Sequence, residues 1–495
     1  MRQLFTLIRF ATALVLMLPA FSQSTSVQIS SVNGLAAVLP PTNACSGKQG
    51  LACAIPNLYG PYGLVLPNPT HAAHFLSTFQ SDFSALDTAI ATQLTLLPLA
   101  SPASGFTYKY DPATGGLQQV KESFGPVLTE RGETIGRHKF FFGATFQRFR
   151  FNKLDGIPLH NFPAVFSHEM DTFHDMPEPY ETQFISTQNS IDLKVNQFTL
   201  FGTFGITDRI DLSVAVPILQ IGFNVTSNAT IERTLGTEPL GVVNGMFVPC
   251  CSSGPPYAHY FDPANQGTSI THTFSNDQFP FEQPGDLYEN PSRNNAEGFG
   301  DVVFRLKGTV YRTERIRLAL LTDFRIPTGD TNNFLGSGAY GLKPSAAVSI
   351  RTGWLTPHVN VGYQWNGSSS LAGDVLAGTK SKLPGFAFFS TGTDIGLGRR
   401  LTVAVDYLGQ ELINAPRVQS GTYNVESGYS LASGQTSFPT IGTAGKQTYN
   451  QSNAAVGFKY NLYDRFIVSG NLLIALNNGG LRERIAPLIG LSYSF

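Results

Sequence analysis

Apolar and polar side chains alternate along most of the chain after Arg137, in runs of about 10 to 14 residues separated by breaks. A period of two residues is that of a β-strand with one apolar face and one polar face. The pattern predicts twelve strands, near residues 137–150, 190–205, 209–224, 299–312, 315–327, 340–353, 355–366, 385–398, 401–413, 449–462, 465–477 and 483–495.

The two faces of these runs differ enough to indicate what each contacts. In the run 355–366, one face carries Leu355, Val359 and Trp365, and the other carries polar residues such as Asn360 and Gln364. We expect the apolar faces to meet lipid, where an open sheet edge is not tolerated and the strands must close into a ring. The predicted fold class is therefore all-β, a transmembrane antiparallel β-barrel of about 12 strands.

The breaks between the runs give the topology. Tight turns at Thr207–Asp208, Thr313–Glu314, Gly353–Trp354, Arg399–Arg400 and Tyr463–Asp464 alternate with longer loops rich in Gly, Pro and Asn. Short periplasmic turns and long external loops are typical of outer-membrane barrels, so we expect both ends of the barrel on the periplasmic side. A soluble all-β fold is the alternative. The run near 190–205 loses its alternation around residues 195–198, which predicts either a bulge or a projection beyond the membrane.

The first 136 residues read differently from the barrel. Arg2, the apolar stretch 10–18 and Ala20-Phe21-Ser22 predict a signal peptide over residues 1–22, and hence export to the bacterial outer membrane. Residues 23–136 precede the barrel of 137–495 and contain a predicted amphipathic helix near 70–97, begun by Asn68 and Pro69. Its apolar stripe requires burial as a plug in the barrel, beneath the periplasmic mouth, against another copy, or within its own N-terminal domain. A small hairpin is predicted after it, with its turn at residues 111–116.

Charge is sparse and balanced, with a formal net charge of -1. This balance indicates neither a nucleic-acid partner nor a polybasic membrane patch. The charged residues of the strands share the inward parity and are candidates for lining the lumen, either as ladders that stabilise the wall or as part of a solute path. They are Asp301, Arg305, Lys307, Arg317, Asp323, Arg325, Lys343, Arg351, Asp394, Asp406, Lys459 and Arg484.

The cysteines and the long loops hold the other candidate residues. We expect a disulfide between Cys45 and Cys53, whereas the neighbours Cys250 and Cys251 would be strained if bridged to each other, and the connectivity stays open. The loop 225–298 is predicted to fold as a lid over the outer mouth through Phe247, Tyr257, Tyr260, Phe261, Phe274, Phe279 and Phe281. The cluster His168, Glu169, Asp171, His174 and Asp175 lacks the spacing of a helical zinc site, so we interpret it as a solvated loop and predict no metal and no cofactor.

Two segments carry a resemblance to a known family: Gly298–Gly308, with the sequence GFGDVVFRLKG, and Leu318–Asp330, with the sequence LALLTDFRIPTGD. They resemble the outer-membrane transporter family associated with phenol meta-pathway degradation, which is distantly similar to long-chain fatty-acid transporter barrels. The likeness extends loosely over residues 299–495, while the N-terminal helical segment and the loop 225–298 depart from the family pattern. The resemblance implies transport of aromatic or other hydrophobic compounds and transfers no binding-site residue.

These observations predict an outer-membrane channel or transporter for passive uptake of small hydrophobic or aromatic molecules. The expected partners are outer-membrane lipid, a small solute, and the barrel-assembly machinery, which would bind the C-terminal strand ending at Phe495. A structural or adhesive barrel with binding loops is the alternative. We do not predict an enzyme, because His138 and His358, the histidines on predicted strands, belong to no visible Ser-His-acid arrangement.

Overall fold

The structure is a computed structural model that describes the chain in segments. These are residues 50–54, 66, 75, 78–96, 108–111, 116–119, 123–168, 182–235, 240–243, 246–249, 259–262, 265–273, 295–375, 378–398, 400–463 and 465–494. All of them belong to one compact unit, Thr42–Phe495. The predicted signal peptide lies outside the described residues.

Twelve long antiparallel strands form a closed barrel, as the alternation predicts. They are β1 (Phe140–Phe151), β2 (Phe184–Gly205), β3 (Ile210–Glu232), β4 (Val302–Arg312), β5 (Ile316–Ile326), β6 (Gly341–Ile350), β7 (Leu355–Asn366), β8 (Gly385–Leu397), β9 (Leu401–Asn424), β10 (Ser437–Tyr463), β11 (Phe466–Ala475) and β12 (Ile485–Ser494). Each strand pairs with its neighbour in sequence, and β12 pairs with β1, for example through Leu491 and Ala144. This last pairing leaves no free edge, so the predicted fold class is confirmed.

Shorter elements accompany the barrel. Helix α1 spans Thr78–Leu96, and 3₁₀ helices span Leu51–Cys53, Thr331–Asn333 and Ser370–Ala372. The predicted hairpin is confirmed as Tyr108–Asp111 paired with Gly116–Gln119. The remaining short strands are Lys153–Leu154, Ile157–Pro158, Phe162–Ser167, Leu240–Val243, Met246–Pro249, Ser269–Thr273, Asn295–Phe299, Ser368–Ser369, Ser381–Lys382 and Leu481–Arg482. None of the helices in the described segments is long and apolar enough to cross a membrane.

The connections alternate in length as predicted. The turns from β2 to β3, β4 to β5, β6 to β7, β8 to β9 and β10 to β11 are short, and the intervening loops are longer. One end of the barrel therefore carries the short turns and the other carries the long loops. In outer-membrane barrels these are the periplasmic and the external ends.

The outer surface of the barrel carries an apolar band. Leu306 is 52% exposed and Ile489 is 60% exposed, whereas their neighbours on the inner face are buried or half-buried. Exposed aromatic side chains border this band, with Trp354 at the short-turn end of β7 and Trp365 near its other end. Eleven residues of strand rise about 36 Å, or about 28 Å along the barrel axis at a tilt of about 40°, which matches a lipid-facing band of about 25 Å.

The polarity of β2 and β3 inverts toward the long-loop end. Phe198 and Leu200 are exposed on the lipid side, but beyond them the outward residues become polar and the inward residues become apolar. Pairing of β2 with both neighbours continues without a register shift, so of the two predicted explanations the bulge is wrong and the projection beyond the apolar band remains. The alternation changes phase because the environments of the two faces are reversed. Within the band the outer face meets lipid, whereas beyond it the outer face meets water and the inner face packs in an apolar core. The inward residues of that core include Ile191, Leu193, Val195, Leu219, Ile221 and Phe223.

Helix α1 also contributes to this core. Leu86 and Ile90 are fully or almost fully buried and belong to the same apolar cluster as the inward residues of β2 and β3. The Thr88 hydroxyl donates a hydrogen bond to the carbonyl oxygen of Leu371, in the loop that follows β7. The helix therefore packs against inward-facing strand residues at the long-loop end of the barrel. It begins later than the pattern predicts, since Phe75 forms an isolated bridge with His168.

Candidate functional site

A segment without regular secondary structure, residues 123–136, crosses the lumen near the short turns and is termed the lumenal strap. Its Phe124 amide donates to the Thr402 hydroxyl of β9 at 2.8 Å, and its Ile135 amide donates to the Asp211 carboxylate of β3 at 2.8 Å. Strands β3 and β9 are six apart in a ring of twelve and thus face each other. The strap therefore runs from one wall of the barrel to the opposite one.

Local sequence explains why the strap stays out of the sheet. Gly125 has a φ of 83°, a left-handed conformation that favours glycine, and Pro126 has no amide hydrogen to donate to a ladder. Gly132 then allows a close approach to the wall, because a Cβ added there would lie 2.4 Å from the carbonyl oxygen of Arg317. The backbone of the strap thus packs directly against the start of β5.

A buried ion pair anchors the middle of the strap. The Arg131 guanidinium donates to both carboxylate oxygens of Asp394 on β8, with an Nε–Oδ1 distance of 3.2 Å, and Nη1 donates to the Ser123 carbonyl at 3.0 Å. The side chains are 6% and 0% exposed. A two-pronged charge-assisted contact of this kind is strong and orients both groups. Arg131 thereby links the strap to β8 and also links two parts of the strap to each other.

Two strap glutamates contact β4 and the short-turn end of β6. Glu130 accepts hydrogen bonds from Arg305 at 2.5 Å and Lys307 at 2.9 Å, both on β4. Glu133 accepts from Nε of Arg351 at 2.9 Å and from the Ser349 hydroxyl at 3.0 Å. Burial by itself would raise the pKa of Glu133, but the positive charges around it, with Arg131 the largest, outweigh that effect and lower the pKa. Glu133 is therefore charged at neutral pH, and both strap carboxylates contact cations of the wall.

A cavity of about 160 Å³ lies in the lumen between the strap and the C-terminal end of helix α1. The strap contributes Leu128, Thr129 and Glu130, and the helix contributes Leu94, Thr95 and Leu96. The wall adds ionised side chains, amides and aromatic rings, including Asp301, Arg305, Asp323, Arg325, Lys343, Asn360, Gln364, Phe386, Phe388 and Gln410. The cavity thus combines charged and aromatic surfaces in the lumen of the barrel.

The predicted lumen charges fall into three groups. Asp301, Arg305, Asp323, Arg325 and Lys343 line the cavity. A second group lies nearer the short-turn end, close to the strap, and is buried or half-buried: Lys307, Arg317, Arg351, Asp394, Asp406 and Lys459. Arg484 is exposed and lies just before β12 begins, so its place in the lumen stays a prediction. The buried arginine of that region is Arg482, which donates to the carbonyl oxygen of Ser452 at 2.6 Å.

The predicted loop residues are described only in part. Phe261 is buried and Tyr260 is half-buried, while Phe247 lies on the short strand Met246–Pro249. Tyr257, Phe274, Phe279, Phe281, Cys45, Cys250 and Cys251 lie outside the described residues. Cys53 is disulfide-bonded. His168 is buried with its Nε2 atom 3.2 Å from Nε2 of His259, whereas the other four members of its predicted cluster are not described.

The strap residues are the functional candidates that the alternation pattern misses. Glu130, Arg131 and Glu133 lie outside any strand, so no period of two marks them. Their signal in the sequence is a charged Glu-Arg-Gly-Glu segment directly before the first strand. Its role as a source of counter-charges becomes clear only when the positions of the inward charges of the wall are known.

The fold also brings a hydroxyl, a histidine and two carboxylates together. The Thr129 hydroxyl lies 2.9 Å from Nε2 of His358, the Asp406 carboxylate lies 2.7 Å from the same Nε2, and the Asp394 carboxylate lies 3.4 Å from Nδ1. A catalytic histidine needs an Nε2 lone pair to take the hydroxyl proton. Since the carboxylate of Asp406 accepts the Nε2 proton, this lone pair is absent. The arrangement holds the strap to β7 and β9.

A closed ring of antiparallel strands, an outer apolar band bordered by aromatic residues and a polar lumen define a transmembrane β-barrel of the bacterial outer membrane. Within that class, the sequence profile of one family matches residues 222–480, about half of the chain. The chain belongs to this family, which is described as "Putative MetA-pathway of phenol degradation". The resemblance of the two sequence segments is thus confirmed.

Solved structures resemble the chain more distantly. An outer membrane channel from Pseudomonas putida F1 has 10% sequence identity and a TM-score of 0.40, with 73% of this chain and 97% of that chain covered. The NanC porin has 8% identity and a TM-score of 0.31, with 71% and 98% covered. The translocator domain of the autotransporter NalP from Neisseria meningitidis has 6% identity and a TM-score of 0.28, with 73% and 89% covered. No curated protein matches the chain.

Proposed function

We propose that this protein is a channel for the passive uptake of small hydrophobic or aromatic molecules across the outer membrane. The observation that carries the proposal is the cavity of about 160 Å³ in the lumen, between the lumenal strap and helix α1. A solute entering from the long-loop end would pass the helix, occupy the cavity and leave past the strap. The route needs no catalytic group.

The chemistry of the cavity supports an aromatic solute. Phe386 and Phe388 present rings to the cavity, and Leu94, Leu96 and Leu128 add apolar surface from the helix and the strap. Ligand sites commonly combine such an apolar lining with a few polar groups that orient the ligand. The family description, which refers to phenol degradation, supports the same class of solute.

Solute uptake into proteoliposomes with a lipopolysaccharide outer leaflet tests the proposal, because such a leaflet slows direct diffusion of hydrophobic molecules. We expect the protein to accelerate the uptake of radiolabelled benzyl alcohol over protein-free vesicles. Arg131→Met, which loosens the strap, should accelerate it further. The matched variant Arg312→Met, at an exposed arginine near a short turn, should behave like the unaltered protein.

Uptake equal to that of protein-free vesicles in all three proteins, each folded by heat-modifiable mobility, would exclude the channel. That result would favour the adhesive alternative, in which the long loops bind external partners and no solute crosses. Uptake by Arg131→Met alone would show that the strap closes the channel in its resting state.

We also propose that the barrel-assembly machinery binds β12. The side chains of Ile489 and Leu491 on this strand face outward, as a segment recognised from the membrane requires. Phe495 lies outside the described residues, and a substitution at this position tests its role. Phe495→Ala should lower the fraction of heat-modifiable barrel in outer membranes, whereas Leu476→Ala, at an exposed leucine before β12, should not.

A further inference from the structure

The charges that line the cavity are equal in number, but they are not paired one to one. Three carboxylates, those of Glu130, Asp301 and Asp323, line it together with Arg305, Arg325 and Lys343. Lys307 contacts Glu130 from outside the lining, at 2.9 Å. Glu130 is therefore shared between Arg305 and Lys307, and the individual contacts decide which cation of the lining has no carboxylate partner.

The contacts identify which cation has no carboxylate within ion-pair distance. Arg305 binds Asp323 with Nε–Oδ1 and Nη2–Oδ2 distances of 2.6 and 2.8 Å and also reaches Glu130. Arg325 lies 3.7 Å from Asp301. Lys343 is the cross-strand partner of Asp323 on β6, but both oxygens of that carboxylate are bonded to Arg305. Among the described residues, none brings a carboxylate within 4.0 Å of the Lys343 ammonium.

The surroundings of Lys343 are aromatic instead. Its Nζ atom lies 4.2 Å from the ring centroid of Phe388 and 6.0 Å from that of Phe386. A cation over an aromatic face is stabilised by the ring quadrupole, but it keeps its charge and its unused hydrogen-bond donors. An anion that reaches Lys343 would find both a positive charge and two rings to pack against.

The size of the cavity narrows the class of anion. A cavity of about 150 Å³ holds a benzene molecule. The lumen cavity has about 160 Å³, so it suits a single ring with a small substituent. We propose that the cavity binds monocyclic aromatic carboxylates, with the carboxylate on Lys343 and the ring against Phe386 and Phe388. The location of this subsite on a solute path rests on the proposed function, but its occupancy does not.

Binding is therefore measured separately from transport, by isothermal titration of the detergent-solubilised protein at low ionic strength. Benzoate is the probe, and benzyl alcohol is its neutral analogue of similar size. We expect Lys343→Met to weaken benzoate binding by about tenfold to a hundredfold, the range for one charge-assisted hydrogen bond, and to leave benzyl alcohol within about twofold. Lys343→Arg should restore most of the benzoate affinity. Lys380→Met, at an exposed lysine in the loop after β7, should change neither.

A second variant separates the ring contact from the charge. Phe388→Leu should weaken benzoate and benzyl alcohol by similar factors, because it removes a surface that both rings use. Equal benzoate affinity in the unaltered protein and in folded Lys343→Met would overturn the proposal, as would benzoate binding no tighter than that of benzyl alcohol. Lys343 would then be a lysine solvated by lumen water.

The uptake assay keeps the two proposals distinguishable. Benzoate binding that depends on Lys343, without uptake of benzyl alcohol in the proteoliposomes, would support the subsite and contradict the channel. Uptake without binding that depends on Lys343 would do the reverse.

Discussion

Replacing Arg131 with methionine should release the lumenal strap from the wall of the barrel. The change keeps a long side chain but removes the two hydrogen bonds to Asp394 and the one to the Ser123 carbonyl. Breaking a buried ion pair by removing one partner costs about 3 to 5 kcal/mol. His358, whose Nδ1 atom lies 3.4 Å from Asp394, remains as a partial partner, so we take the lower value. About 3 kcal/mol corresponds to a change of roughly 150-fold in the docking equilibrium of the strap.

Single-channel recording in planar bilayers and cleavage by a glutamate-specific protease report this equilibrium independently. Conductance should rise because the strap no longer spans the short-turn end, and cleavage at Glu130 or Glu133 should accelerate because cleavage follows the undocked population. The double variant Arg131→Met/Asp394→Asn should recover part of the effect, since it leaves no uncompensated buried charge. Conductance and cleavage equal to those of Arg312→Met would refute the assignment of Arg131 as the anchor.

Other predictions probe the close contact, the charge and the inverted core. Gly132→Val should destabilise the strap by about 1 to 3 kcal/mol through overpacking against the wall, whereas Gly442→Val, at a glycine with open space around its Cβ position, should leave the thermal unfolding midpoint in detergent unchanged. The pKa of Glu133 is lowered from 4.5 in the folded protein. Its stabilisation of the strap is therefore present above about pH 4.5 and is lost as the pH falls through the folded-state pKa. Glu133→Gln should remove this part of the pH dependence of protease cleavage. Ile221→Asp should cost at least about 3 kcal/mol in thermal unfolding because it places a carboxylate in the core around α1, and Gln220→Asp, on the water-facing side of the same strand, should be tolerated.

The sequence alone determines the barrel because lipid and water impose opposite requirements on alternate residues. The run from Leu355 to Asn366 is an observed strand with the predicted bounds, and Val359 and Val361 face lipid as expected. The short turns were also visible, since a tight connection at Tyr463 leaves little choice of topology. These features depend only on neighbours along the chain and on the two solvents.

The contents of the lumen were decided by the tertiary structure. The pairing of Arg131 with Asp394 joins residues 263 positions apart, and no local pattern encodes such a contact. The same holds for the loss of alternation near Val195, which reflects helix α1 packing inside β2 and β3 rather than a defect in the strand. The polarity of a strand residue reflects whether it faces inward or outward, but its inward contacts depend on the segment of chain that fills the barrel. That is why the wall follows from periodicity, whereas the strap, the cavity and the aromatic surroundings of Lys343 require the closed fold.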